Sequence, residues 1–306
     1  MLISKMANTY FALIFISTLF LVSSCSDDNS SDSLVNHQYL LIPDNHFEQM
    51  LIDQGVDTDG TVNGQMLRED AEKISRLDLN LDSHFGDIED LTGIEGFTNI
   101  TFLSAVGQKL EDIDLSSNTK LDTLHLQNNY LTTIDLSKNT NLILIEVLVN
   151  ELHTITGLEH VSQLKKLNVS YNYIEDFSIS NESIEHLLIS DNLLTFFDST
   201  GARHLKSVLL TTNQLSSVDL SSNPSLETLV ISDNNLVNID LSANMGLTYF
   251  YASSNMLTSL DVSRNTELID LRVDRNPDLN CIKIQDGQEI PSVSLSEYQE
   301  LNEFCE

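Results

Sequence analysis

The chain has no tryptophan in 306 residues, only four prolines and only three cysteines. Without tryptophan it lacks the broadest ring for stacking on sugars. Basic residues are scarce: 15 Lys and Arg stand against 46 Asp and Glu, for a formal net charge of −31. That balance excludes nucleic acid, whose recognition needs basic patches. It also argues against adsorption to anionic lipid. The acidity suits solubility at a crowded surface, with a bound cation or a basic partner as the alternative. The one long apolar run, Tyr10 to Val22, is too short to span a membrane comfortably. The eight histidines form no H-x-x-x-H or Cys/His pattern, and neither G-x-S-x-G, a P-loop nor a dinucleotide fingerprint occurs, so nothing marks an enzyme.

What is present is a ladder of asparagines 21 residues apart, Asn213, Asn234, Asn255 and Asn276. Each closes the frame L-x-x-[LVF]-x-[LIAV]-x-x-N, opened by Leu205, Leu226, Leu247 and Leu268. The frame recurs upstream from Leu164, Ile184, Leu142, Leu121 and Ile100, and in aberrant form from Ile74, where Asp82 replaces the asparagine. A fixed period of this length predicts a stack of identical supersecondary units. Ten units cover residues 74–276. Alternation in L-x-L predicts a half-buried strand, and neighbouring units should pair as parallel strands about 4.8 Å apart. The asparagine should turn the chain, its amide bonding backbone groups or the next amide. The second half of the unit, with its I-D-L-S-x-N, leaves no room for a helix, so extended or 3₁₀ segments are expected on the return. Asp114, Asp135, Asp198, Asp219, Asp240 and Asp261 recur at one position of that return, which marks them as turn residues and not as paired acids.

These motifs resemble the leucine-rich repeats. The stretch DIEDLTGIEGFTNIT (87–101) resembles the first repeats of internalin-type bacterial proteins, and IDLS-x-N is similar to the short repeats of Bacteroidota surface lipoproteins. The resemblance implies an α/β-class leucine-rich-repeat solenoid, a right-handed superhelix with a concave parallel sheet. It also implies non-catalytic recognition of a macromolecule.

The N-terminus fits that reading. Residues 1–24 read as a signal segment, with Lys5 before the apolar run and a lipobox-like Val22-Ser23-Ser24-Cys25. Cys25 would carry the lipid, giving a membrane attachment by this anchor alone. Loss of Lys5 takes the net charge from −31 to −32. Ser26-Asp27-Asp28 resembles the export signal that puts such lipoproteins on the outer face of the outer membrane. Residues 25–38 form a polar tether, 39–73 an N-terminal helical cap, and 277–306 a C-terminal cap. LNCIKI followed by EFCE resembles the C-terminal ends of related lipoproteins, which implies a Cys281–Cys305 disulfide clamping that cap, with free thiols as the alternative.

In the N-terminal cap, His46–Gly55 has helical spacing, with Asp44 or Asn45 as N-cap. Asp57-x-Asp59-Gly60 has part of an EF-hand pattern but lacks its leading Asp and its bidentate Glu. A tight turn is the first expectation there, and calcium near Asp57 and Asp59 the second.

Positions three, five, seven and eight of each frame should face outward on the concave side. Position five holds Leu188, Leu209, Val230 and Tyr251 in four successive units, flanked by Tyr249 at position three. Stacked apolar residues in register mark a contact stripe, and tyrosines suit protein or sugar contacts. A second group comprises Leu144, Leu148 and Val149 with Tyr171. The expected ligand site is thus Leu188, Leu209, Val230, Tyr249, Tyr251 and Tyr171. Its partner is expected to be a protein, giving a monomeric adhesion-type molecule. A glycan captured beside a transporter, or a fixed envelope partner, are the other two classes.

Overall fold

The computed structural model describes residues 38–80 and 86–305. The signal segment, Cys25, nearly all of the tether, and Asp82 lie outside the described residues. Eleven parallel strands form one sheet, beginning at Arg76–Asp78, running through Ser207–Leu209 and ending at Ser292–Ser294. Ten belong to the repeats. The eleventh comes from the segment expected as a cap, which therefore continues the sheet before closing it. Pairing joins equal frame positions throughout: Leu187 to Val208, Val208 to Leu229, Leu229 to Phe250. Register cannot slip, because a one-residue shift would move every leucine from core to solvent. Frame positions one, four and six are buried almost without break, and each unit packs on its neighbours alone.

The return side is extended or 3₁₀, as the short period requires. Short strands pair there, among them Thr133–Asp135 with Thr154–Thr156 and Asp176–Ser178 with Phe196–Asp198. Single 3₁₀ turns occur at Ile94–Gly96 and Leu158–His160. The recurring aspartates are turn residues: Asp114, Asp135, Asp219 and Asp240 each accept the N–H of the serine two residues on, at 2.8–2.9 Å.

The asparagine ladder works differently from a stack of mutually bonded amides. Asn213 Nδ2 donates to the Ile189 and Leu210 carbonyls at 3.0 and 3.1 Å, while its Oδ1 accepts the Leu194 N–H at 3.0 Å. Asn150, Asn234 and Asn255 repeat the pattern. Each amide thus stitches its own turn to the backbone of the preceding unit. Geometry explains why: the buried turn exposes one N–H and several carbonyls, a better match for an amide than another amide. Glutamines close the ladder. Gln108 stands in the asparagine position of its unit, accepting from Ile88 N–H and donating to the Leu79 carbonyl, and Gln299 donates to the Val273 carbonyl at the other end. Gly86 lies where any Cβ would collide with the Gln108 side chain.

A second ladder runs along the return. Asn118, Asn139, Asn223, Asn244 and Asn265 are fully buried, and each Nδ2 donates to two carbonyls of the preceding unit.

Position eight has a feature the sequence did not reveal. Asn128, Val149, Tyr171, Asp191, Thr212, Asp233, Ser254 and Arg275 all have φ between 53 and 58°. The chain leaves each strand through a left-handed residue, a conformation that disfavours bulky and β-branched side chains.

The caps cover both ends. Asp44 is the N-cap of helix Asn45–Asp53, accepting the His46 and Phe47 N–H groups at 2.8 and 3.0 Å. Its Phe47 and Leu51 are buried, with Phe47 6.4 Å from Phe97 in the first full turn. Glu48, also buried, accepts the N–H groups of Asn63, Gly64 and Gln65. At the far end Cys281 and Cys305 form a disulfide between segments that extend a return-side sheet, Leu260–Asp261, Cys281–Lys283 and Glu300–Asn302.

Candidate binding face

The concave strands present three outward columns. Column five is the expected stripe. Leu188 pairs with Leu209, Leu209 with Val230 and Val230 with Tyr251, so four apolar side chains stack in adjacent strands. All four are half-buried by their neighbours. Column three is polar at His186, Ser207 and Thr228 and ends at Tyr249, 39% exposed. Column seven is hydroxylic, with Ser190, Thr211, Ser232 and Ser253. The face is an apolar strip one residue wide between two polar borders.

Both ends of the strip are sealed by charge. At one end Arg272 lies over the Tyr251 ring, 4.3 Å from its centroid, and forks onto Asp270 at 2.7 and 3.2 Å. The Tyr251 hydroxyl donates to the same carboxylate at 2.9 Å. Arg272 holds the Asp270 carboxyl below its ordinary range, while burial, then the Asp270 bond, pushes the Tyr251 phenol up. Tyr251 is therefore fixed in place, whereas Tyr249 beside it is open to solvent. At the other end the column turns polar at Asn168, and Lys166 pairs with Glu146 at 2.7 Å. Next to the strip, Glu185 sits between Lys165 and Lys206 at 2.8 and 2.7 Å, which lower its pKa to about 2.

Tyr171 is placed elsewhere. It lies past the end of strand Lys166–Asn168, at position eight, on the rim of the solenoid. Val149 occupies the same position one unit earlier. The structure therefore divides the expected site: Leu188, Leu209, Val230, Tyr249 and Tyr251 share the concave face, and Tyr171 belongs to a separate edge. Frame position alone could have given this, had position eight been recognised as the turn.

Asp57 and Asp59 lie in a tight turn. Asp59 accepts the Thr61 N–H and the Asn63 amide, both at 2.8 Å, and Asp57 Oδ1 accepts the Asp59 N–H. Asp57 Oδ2 is buried without a partner. Burial foremost, with nearby Asp59, Glu48 and Asp70 adding to it, raises the Asp57 pKa. Among the described residues no group of three or more His, Cys, Asp or Glu is arranged to hold a metal ion.

No protein-family model matches the chain, and no curated protein aligns with it. Solved structures do. The functional domain of InlJ from Listeria monocytogenes superposes with a TM-score of 0.70 at 23% identity, over 88% of this chain and 64% of that one. A leucine-rich-repeat protein of Leptospira interrogans gives 0.56 at 19% identity, over 71% of each chain. Internalin C2 of Listeria monocytogenes gives 0.54 at 19% identity, over 69% of this chain and 95% of that one. The fold is a leucine-rich-repeat solenoid. This chain spans under two thirds of the InlJ domain's length. InlJ is described as including a cysteine ladder; the repeats here contain no cysteine, and the ladder is of asparagine.

Proposed function

We propose that this chain is a non-catalytic recognition protein of the adhesion type, held on the outer face of a bacterial outer membrane by a lipid on Cys25. Its concave strip would bind a protein partner. The observation that carries this reading is the registered stack Leu188, Leu209, Val230 and Tyr251, apolar side chains set on a face where a solenoid needs none. Likeness of fold to internalins agrees with a binding scaffold but names no partner. Glycan capture is the second reading, favoured by the exposed Tyr249 ring.

Screening residues 39–306 against surface-protein and glycan arrays, with Leu209→Asp as the comparison, tests the proposal. A protein hit lost in the variant supports it, since burying an unpaired carboxylate against the strip is costly. A hit retained in the variant moves recognition away from this face. Hits confined to glycans replace the protein reading with the second one. Protease shaving of intact cells should release the chain if it is displayed outside.

A further inference from the structure

The rim of the central units carries apolar side chains more open than those of the concave strip. Tyr130, Val149, Tyr171, Tyr173 and Leu193 are 50, 42, 55, 47 and 37% exposed. They occupy positions eight and ten of four consecutive units. The backbone there is continuous from unit to unit: Val149 N–H donates to the Ser170 carbonyl at 3.0 Å, Tyr171 to Ser190 at 2.9 Å and Tyr173 to Leu152 at 2.9 Å. Neighbouring side chains are thus about 5 Å apart. The Tyr173 ring is steadied by His153, stacked 5.8 Å away. Val149 and Tyr171 also hold the left-handed position, at φ 55 and 57°, where the other repeats place Gly, Asn, Asp, Ser, Thr or, in the last of them, Arg275, and none of those is a large apolar side chain. A large apolar side chain is unfavourable there, and two in successive units, left 42 and 55% exposed, point to a contact outside the chain.

The charge around the rim identifies that contact. Positions eight to thirteen of the units opening at Ile100 through Ile184 hold six carboxylates: Glu111, Asp112, Glu151, Glu175, Asp176 and Asp191. The one lysine among them, Lys109, is bound to Asp87 at 2.7 Å. An open depression lined by Glu111, Asp112, Tyr130, Thr132 and Glu151 combines a phenol ring with three carboxylates. Ring faces attract ammonium and guanidinium groups, and carboxylates accept their hydrogen bonds. A neutral glycan would leave this excess of negative charge unused.

We propose that this rim is a second docking site, separate from the concave strip, for an extended polypeptide segment carrying lysine or arginine between apolar residues. Four units span roughly 15 Å, the length of four or five extended residues. The cations would sit by Tyr130 and Tyr173, and the apolar side chains on Val149 and Tyr171.

The test is fluorescence anisotropy of a labelled six-residue peptide of alternating arginine and leucine, titrated with the full chain in non-ionic detergent. Saturable binding is expected. Tyr171→Asn combined with Tyr173→Ser should weaken it about 5- to 30-fold, from two lost ring contacts, with no change in net charge. Asp219→Asn with Asp240→Asn, which removes two charges on the return side, should change it less than about 2-fold. Tyr171→Asn alone should keep or raise the melting temperature, because asparagine suits the left-handed turn, so weakened binding is not unfolding. Equal losses in the two double variants would reduce the binding to general attraction by an acidic surface. The proposal also fails if the chain does not bind the peptide saturably, or binds an uncharged leucine–serine peptide as tightly. Loss of binding in Leu209→Asp would place the peptide on the concave strip and overturn the rim site, whereas retention keeps the two sites independent.

Discussion

Truncating one asparagine in each ladder should have unequal consequences, and the difference can be worked out bond by bond. In the concave ladder, Asn213→Ala removes donors to the Ile189 and Leu210 carbonyls and the acceptor of the Leu194 N–H. Both carbonyls keep another amide, from Asn192 and Asn234 respectively. The Leu194 N–H has no other partner. A buried unpaired N–H costs about 1–3 kcal/mol and each of the two lost donor bonds about 1 kcal/mol, so the total is about 3–5 kcal/mol. In the return ladder, Asn244→Ala removes donors to the Leu220 and Asn223 carbonyls. Those carbonyls already accept the Asn223 and Leu226 N–H groups, so neither is orphaned. Asn244 Oδ1 is itself buried without a partner, and its removal returns part of the loss. The expected cost is about 1–2 kcal/mol. Both truncations open cavities of the same size, so the contrast isolates the hydrogen bonds. Urea denaturation followed by circular dichroism reads the totals, with the m-value checked for loss of cooperativity along the stack. Hydrogen exchange reads the mechanism: the Leu194 amide should lose protection in Asn213→Ala and keep it in Asn244→Ala. Equal destabilisation, or an unchanged Leu194 amide, would refute the assignment of the ladder's strength to that one N–H.

The Asp57 carboxyl, raised above its ordinary pKa, gives a pH-dependent difference. A raised carboxyl favours the fold below about pH 3.8 and loses that contribution as pH rises through its folded value. Asp57→Asn should therefore gain melting temperature over the parent chain as pH climbs from about 4 to 7, while the lowered carboxyls of the return turns cancel in the comparison; a constant gap would contradict the burial argument. Added calcium should stabilise the parent and not Asp57→Asn if a cation sits at this turn, and neither protein if the site is a turn only. Reducing Cys281–Cys305, separated by 24 residues, should cost about 3 kcal/mol, with exchange rising first in Cys281–Lys283 and Glu300–Asn302. Exchange rising first at Arg76–Asp78 would show that the disulfide does not govern the C-terminal end.

The solenoid and its face were legible because both are local. A period of 21 with leucines at fixed positions determines, unit by unit, which side chains turn inward, and identical units can pair only in register. The strip Leu188, Leu209, Val230 and Tyr251 follows from the same counting. So does the extended return, while the cap helix was legible from its own apolar spacing with Asp44 or Asn45 as N-cap, and the structure selects Asp44. The second asparagine ladder was present in I-D-L-S-x-N at the same period, yet its burial depended on which carbonyls lay beneath it. Those belong to the preceding unit, some 24 residues away, for example Leu220 beneath Asn244.

Three things were settled only by the tertiary structure. The left-handed turn at position eight is imposed by the stack and overrides the side chain, since Val149 and Thr212 adopt it against their own preference. That turn moved Tyr171 from the concave face to the rim. The segment after Asn276 repeats the apolar spacing once more, at Ile290, Val293 and Leu295, but without an asparagine at position nine, and the open edge of the tenth strand supplies the hydrogen-bonding groups that Ser292–Ser294 meets. In each case the sequence determined the unit, through periodic burial that every residue satisfies within its own turn. The stacking of units decided the rest, because unpaired backbone groups at a turn or an edge take their partners from a neighbour that no local pattern names.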